Sequence, residues 1–262
     1  MDTISTGIGG ALIGRALAQP RAGPAAALAV TAAALLPDVD VFFDFFVRDP
    51  LATLTVHRGF THSLLGVAVM APLLALLLRW FSKDKNYRRL LVLATLGLLW
   101  HLGTDLATSW GTMVFHPFSR QRVVWDLLFI IDFTFTAILL FPHLLAWTYR
   151  QREAAFRRGG LLGAALSAFA ALVISLASRF LGTPFNWGLW LLLSSGVAAV
   201  LLTPAARGWG FRQPPASVCR IGLAVLGVCL GVCTAGPSAA CGLKPWGRCP
   251  NPSRPFAGRA WY

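Results

Sequence analysis

Five long apolar runs, at about 62–81, 90–110, 123–147, 160–180 and 187–203, constrain this chain more than any other feature. Each approaches the roughly 20 residues that a helix needs to cross a hydrocarbon layer about 30 Å thick. A weaker sixth run covers 219–235. Inside a bilayer the backbone must satisfy its own hydrogen bonds, so only helices or a closed barrel can span it. The short alternating segments of a barrel do not occur in the sequence, which leaves helices. With 56% hydrophobic and 13% charged residues, an ordinary soluble domain is excluded. The predicted fold class is all-α, a polytopic helical integral membrane protein with about 5–8 membrane-embedded helices.

Ahead of these runs, 3–18 and 24–36 are Ala- and Gly-rich segments too short to span fully at about 1.5 Å per residue. A short hairpin turning around Arg15, Pro20, Arg21 and Pro24 is expected, ended by Leu35-Leu36-Pro37. Val41 to Phe46, apolar and aromatic around Asp44, reads as an interfacial segment.

Basic residues assign the sides. Lys83, Lys85, Arg88 and Arg89 follow the first run, Arg150, Arg152, Arg157 and Arg158 the third, and Arg207, Arg212 and Arg220 the fifth. Two runs separate successive loops, so one orientation places all three in the cytoplasm, where Lys and Arg concentrate. The formal charge of +13 reflects this loop placement, and nucleic acid is not an expected partner. Asp2 in place of a basic opening argues against a cleavable signal peptide. All five cysteines lie between Cys219 and Cys249 without a Cys-x-x-Cys pair, so no structural zinc is expected there.

The opposite, extracytoplasmic face collects chemistry. His57 and His62 flank Arg58-Gly59-Phe60-Thr61, and a loop histidine followed by one at a helix start can converge on one metal. His101 and Asp105, at i and i+4, share a helix face with Thr108 one turn on. Ionisable groups inside a membrane helix are costly and mark function unless they form a private hydrogen bond between helices. Asp38 and Asp40 follow Pro37 and reach one metal only through a turn. Together, His57, His62, His101, Asp105, Asp38 and Asp40 make six nitrogen and oxygen ligands without a thiolate. That set suits two metals, or one metal with outer carboxylates.

The 111–122 loop adds Ser119, Arg120 and Arg122, which with Arg58 can clamp a phosphate, headgroup anchoring being the alternative. Asp126 and Asp132 would lie about 240° apart on the following helix. Asp132, the deeper, is the expected third catalytic carboxylate beside Asp38 and Asp40.

These motifs resemble the YdjM-like family of bacterial LexA-linked, inner-membrane metal-dependent hydrolases. The matching stretches are Met1-Asp2-Thr3 with Gly10, Pro37-Asp38-Val39-Asp40, His57-Arg58-Gly59-Phe60-Thr61-His62-Ser63, His101-x-x-x-Asp105, and Gly111-Thr112 through Pro117-Phe118-Ser119, followed by Asp132. They cover about residues 1–145, and the His-Arg-Gly-x-Thr-His-Ser string is the most specific. The resemblance implies an integral membrane protein with a metal site and a phospholipid as substrate. Two positions depart from the family pattern: Ser5-Thr6 stand where its opening reads Thr-His, so one histidine is missing, and Asp132-Phe133 replaces Asp-Pro.

The expectation is a multi-pass protein of the bacterial cytoplasmic (inner) membrane carrying a metal-dependent hydrolase core over 1–147. Additional transmembrane helices would cover 148–235, and 236–262 is an irregular tail with the character of a frameshift. The expected cofactor is a divalent metal, zinc foremost, with manganese, magnesium or iron as alternatives. Membrane lipids are the expected partners, and a phospholipid or another lipid-linked phosphoester the substrate. The competing reading is a structural membrane protein with a polar His/Asp core, or a transporter. A transporter, however, would carry polar groups through to the cytoplasmic half, and 160–203 is nearly devoid of them.

Overall fold

The computed structural model describes residues 1–41, 59–206 and 215–235. Helix α1 (Thr3–Ile13) continues into a π-helical stretch (Gly14–Ala18) and a single turn (Gln19–Ala22). Gly23, at φ 79°, then reverses the chain into α2 (Pro24–Leu35). This is the expected N-terminal hairpin. A second hairpin joins α3 (Leu64–Phe81) to α4 (Tyr87–Ala107). Helices α5 (Phe133–Thr148), α6 (Arg152–Leu181), α7 (Trp187–Ala206) and α8 (Pro215–Ala235) complete the described residues.

Helices α3, α4 and α6 are long and apolar enough to cross a membrane, with mean hydropathies of 2.1, 1.6 and 2.2. Shorter apolar helices cover Phe133–Thr148, Trp187–Thr203 and Ser217–Val228. The interfacial segment from Val41 to Phe46 and the irregular tail at 236–262 fall largely or wholly outside the described residues.

The expected 123–147 helix is shorter than its apolar run. Its helical part begins at Phe133, and Asp132 is the N-cap, accepting from Phe135 N at 2.9 Å. Residues upstream instead pair with earlier backbone: Val123 exchanges hydrogen bonds of 2.9 and 3.0 Å with Thr112, and Leu127 and Leu128 both donate to Ala107 O. Asp126, at φ 51°, adopts a left-handed turn that an aspartate tolerates better than most residues. Hydropathy does not separate a helix from an extended apolar segment, and here two aspartates with helix-start and turn preferences decide the matter.

Close packing of small residues positions the working end of the molecule. Ala-rich α2 lies between α1 and α4. A Cβ added to Gly97 would stand 2.4 Å from Val30 O and 2.5 Å from Ala33 Cβ, and one on Gly10 would stand 2.7 Å from Ala34 Cβ. In lipid, helix association relies on this kind of backbone approach. It draws the C-terminal ends of α2 and α4 together.

Ser63 fixes the start of α3. Its Oγ accepts from Gly66 N at 2.9 Å and donates to Phe60 O at 2.7 Å, closing the 3₁₀ turn Phe60–His62 onto the helix. Removing such a cap costs about 1 kcal/mol. Ser63→Ala should therefore lower the thermal midpoint of detergent-purified protein by a few degrees, measured by intrinsic fluorescence.

Candidate metal centre

Three backbone endings meet at one end of the helix bundle. After α2, the 3₁₀ turn Leu36–Asp40 presents Asp38 and Asp40, Pro37 supplying the preset φ at its start. The Phe60–His62 turn presents His62. The last two turns of α4 present His101 and Asp105, and Thr108 ends the helix just beyond, its hydroxyl donating to Asp105 O at 2.8 Å.

Four atoms from these pieces face one another. His62 Nε2 lies 3.6 Å from Asp38 Oδ1 and 3.4 Å from Asp105 Oδ2, while His101 Nε2 lies 3.5 and 3.7 Å from the same two oxygens. The imidazole centroids are 4.8 Å apart, edge to face. Both rings and Asp105 are buried to 1% exposure or less, whereas Asp38 retains 15%.

Hydrogen bonds behind the rings set which nitrogen points inward. His101 Nδ1 donates to Ala34 O at 2.6 Å, satisfying one of the carbonyls left open at the end of α2. Thr61 Oγ1 donates to Asp40 Oδ2 at 2.7 Å and so accepts from His62 Nδ1 at 2.9 Å. In their neutral forms both rings therefore carry the proton on Nδ1, and both Nε2 lone pairs are directed at the shared centre. Asp40, 3.4 Å from His62 Nδ1, supports the ring electrostatically. Thr3 Oγ1 donates to Asp38 Oδ2 at 2.7 Å, leaving Oδ1 for the imidazoles.

These residues fit a metal ion. Asp38, His62 and His101 form a group with ligand atoms within 4.8 Å of one another. Asp105 Oδ2 lies beside this group, 3.4 and 3.7 Å from the two imidazole nitrogens. A tetrahedral ion about 2.1 Å from each ligand sets ligand atoms about 3.4 Å apart; the four histidine–aspartate separations are 3.4–3.7 Å, and the Asp38, His62 and His101 atoms are grouped within 4.8 Å. His101 Nε2 is buried without a hydrogen-bond partner, as a ligand nitrogen would be before its metal arrives.

The other expected site residues are placed differently. His57 and Arg58 lie outside the described residues. Asp132 caps α5 rather than standing within a helix, and no described contact joins it to the cluster. The loop bearing Ser119, Arg120 and Arg122 is pinned beside the cluster, because Leu64 N, two residues after His62, donates to Val114 O at 3.0 Å. Ser119 Oγ accepts from Gln121 N at 3.2 Å, and Arg120 is exposed.

Sequence reasoning missed the supporting layer of Thr3, Thr61 and Ala34 O. The two threonines were visible as members of the matched strings, but the carbonyl had no signal at all. It also missed the amino group of Met1, which lies against Asp105 Oδ1. Thr6 is fully buried, its hydroxyl donating to Asp2 O at 3.1 Å while its carbonyl accepts from Trp100 Nε1, the neighbour of His101.

Comparison with known proteins places this arrangement. The family model described as YdjM inner membrane protein matches residues 1–182. The chain belongs to the YdjM inner membrane protein family. The match takes in every residue of the cluster and continues through α6, beyond the stretch over which motifs alone carried the resemblance. Membership in YdjM, together with several apolar helices, makes this a multi-pass inner-membrane protein. A relative, the uncharacterized protein YfhP of Bacillus subtilis (strain 168), is 30% identical over 128 residues. That alignment covers 49% of this chain and 37% of YfhP. No solved structure matches.

Proposed function

We propose that this YdjM-family protein is a membrane-embedded metal-dependent hydrolase, open at the extracytoplasmic face, that cleaves a phospholipid or another lipid-linked phosphoester. The observation that carries this reading is the inward direction of both Nε2 lone pairs toward two carboxylate oxygens at 3.4–3.7 Å. His62, His101, Asp38 and Asp105 are the ligands in this reading, gathered at one point and so suited to a single ion. Thr6, in place of the family histidine, is consistent with one metal. Imidazole ligands favour zinc, then iron or manganese, over magnesium, which prefers oxygen alone.

A divalent metal held there supplies Lewis acidity, making a water nucleophilic at neutral pH and polarising a phosphoryl oxygen. The chain supplies orientation and proton handling. Asp40 stands behind His62 with Thr61 between them, and it holds the ring and its Nδ1 proton in place. Arg120 and Arg122, with Arg58 and Ser119, hold the anionic group.

Orientation supports a lipid substrate. The cluster sits at the ends of α3 and α4 remote from Lys83, Lys85, Arg88 and Arg89, so the basic turn and the centre face opposite sides. Trp110, Phe118 and Phe129 are exposed along the adjoining loop, as aromatic residues are at headgroup depth.

Thr61→Val should weaken zinc affinity about 10- to 100-fold, the usual effect of losing a residue that orients a ligand. Competition with a chromophoric chelator measures it. For the activity, the zinc-loaded protein in mixed-lipid vesicles should release a phosphorylated product, and chelation should abolish the release. Metal-loaded protein inert toward glycerophospholipids and isoprenoid-linked phosphates alike would contradict the substrate assignment.

A further inference from the structure

The half of the protein opposite the His/Asp centre holds a second polar cluster, built from cations. Arg15 stands in the π-helical stretch Gly14–Ala18, about 20 Å along the helix axis from Asp2. Stretches with i→i+5 bonding are rare, and they recur at functional sites. Arg15 Nη1 lies 2.9 Å from His143 Nδ1, and His143 Nε2 lies 3.1 Å from Ile8 O. A carbonyl only accepts, so Nε2 carries the ring proton and Nδ1 accepts from Arg15. His143 is thus neutral and holds the guanidinium in place.

Arg220, from α8, donates through Nε to Ala16 O at 3.0 Å, the carbonyl of the residue following Arg15. Helix α8 packs tightly on α5 here, since a Cβ on Gly222 would stand 2.1 Å from Pro142 Cγ, next to His143. Both arginine side chains are exposed while Ala16 between them is buried. Each uses one donor on the protein, and among the described residues neither has a carboxylate at ion-pair distance.

Two neighbouring guanidinium groups with no carboxylate partner among the described residues, one of them on the apolar helix α8, call for an anion. The basic loop residues place this end on the cytoplasmic side, where basic pockets between helices take anionic headgroups. The guanidinium fork matches phosphate oxygens. We propose that Arg15 and Arg220, with His143 as the positioning residue, bind a phosphate group of an anionic phospholipid of the cytoplasmic leaflet. This site is separate from the hydrolytic centre and independent of it. Arg220 also lies outside the stretch that matches the YdjM model, so the site is not a feature of that match.

The test is a thermal melt of the full chain in neutral detergent with added phosphatidylglycerol, phosphatidylcholine or inorganic phosphate. Phosphatidylglycerol should raise the midpoint by several degrees and phosphatidylcholine should not. Inorganic phosphate reproducing the whole shift would assign the site to the free ion and overturn the lipid. Arg15→Gln/Arg220→Gln should abolish the shift, whereas Arg88→Gln/Arg150→Gln, which removes as much charge from the first turn of α4 and the α5–α6 connection, should keep it. No shift in the natural protein, or an equal shift in Arg15→Gln/Arg220→Gln, overturns the proposal. Should that variant fail to give monodisperse protein, Arg220→Gln alone must at least halve the shift, and an undiminished one overturns it as well.

Discussion

His101→Ala should weaken metal binding by two to three orders of magnitude, the counterpart of the roughly 3–5 kcal/mol lost when one partner of a buried charged group is removed. The substitution takes away one of four converging ligand atoms and leaves Asp38 and Asp105, which His101 faces at 3.5 and 3.7 Å, with one imidazole to share. It also frees Ala34 O at the end of α2, a buried carbonyl with no replacement donor in reach of alanine. Affinity for zinc and thermal midpoint should therefore fall together. His101→Gln, which keeps a donor and much of the volume, should recover stability better than affinity. Equal affinity in His101→Ala and the natural protein, measured by chelator competition, would remove His101 from the ligand set.

Gly97→Leu should have the largest structural effect of any single substitution considered for this molecule. Position 97 is one turn before His101, against Val30 O and Ala33, and a side chain there has nowhere to go without separating α2 from α4. Overpacking a tight core costs about 1–3 kcal/mol, and more where backbone must move. Here the backbone that moves carries Asp38 on one side and His101 with Asp105 on the other. A lower midpoint and a loss of metal should appear together, although residue 97 touches no ligand. Gly103→Ala is the control, because a Cβ there meets nothing within 4 Å.

The parts of this architecture legible in the sequence are those governed by short-range rules. Runs of apolar length announced α3, α4 and α6, and the i, i+4 spacing put His101 and Asp105 on one face. Pro37 predicted a break, and the two aspartates behind it turned out to lie in a 3₁₀ turn, the tight geometry that an extended reading would have denied them. Basic loops predicted that these groups share one end, and the helix ends agree.

What was not legible depends on partners distant in sequence. The start of α5 at Phe133 is decided by extended pairing of Val123 with Thr112, which hydropathy does not register. The tautomer of His101 is decided by a carbonyl of α2, whose approach requires Gly97 and Ala33 to meet. Likewise, Arg15 reads as a hairpin-turn charge in sequence. Only the π-helical stretch and the arrival of α8 give it His143 and Arg220 as neighbours.

The most direct test of the central claim is elemental analysis of detergent-purified protein, reconstituted with zinc, manganese or iron and then desalted. The natural chain should retain close to one metal per molecule. The His62→Ala/Asp105→Ala variant, checked for helicity and monodispersity, should retain almost none. A natural chain that emerges metal-free from all three reconstitutions would contradict the metal centre and return His62, His101, Asp38 and Asp105 to the role of a polar membrane core.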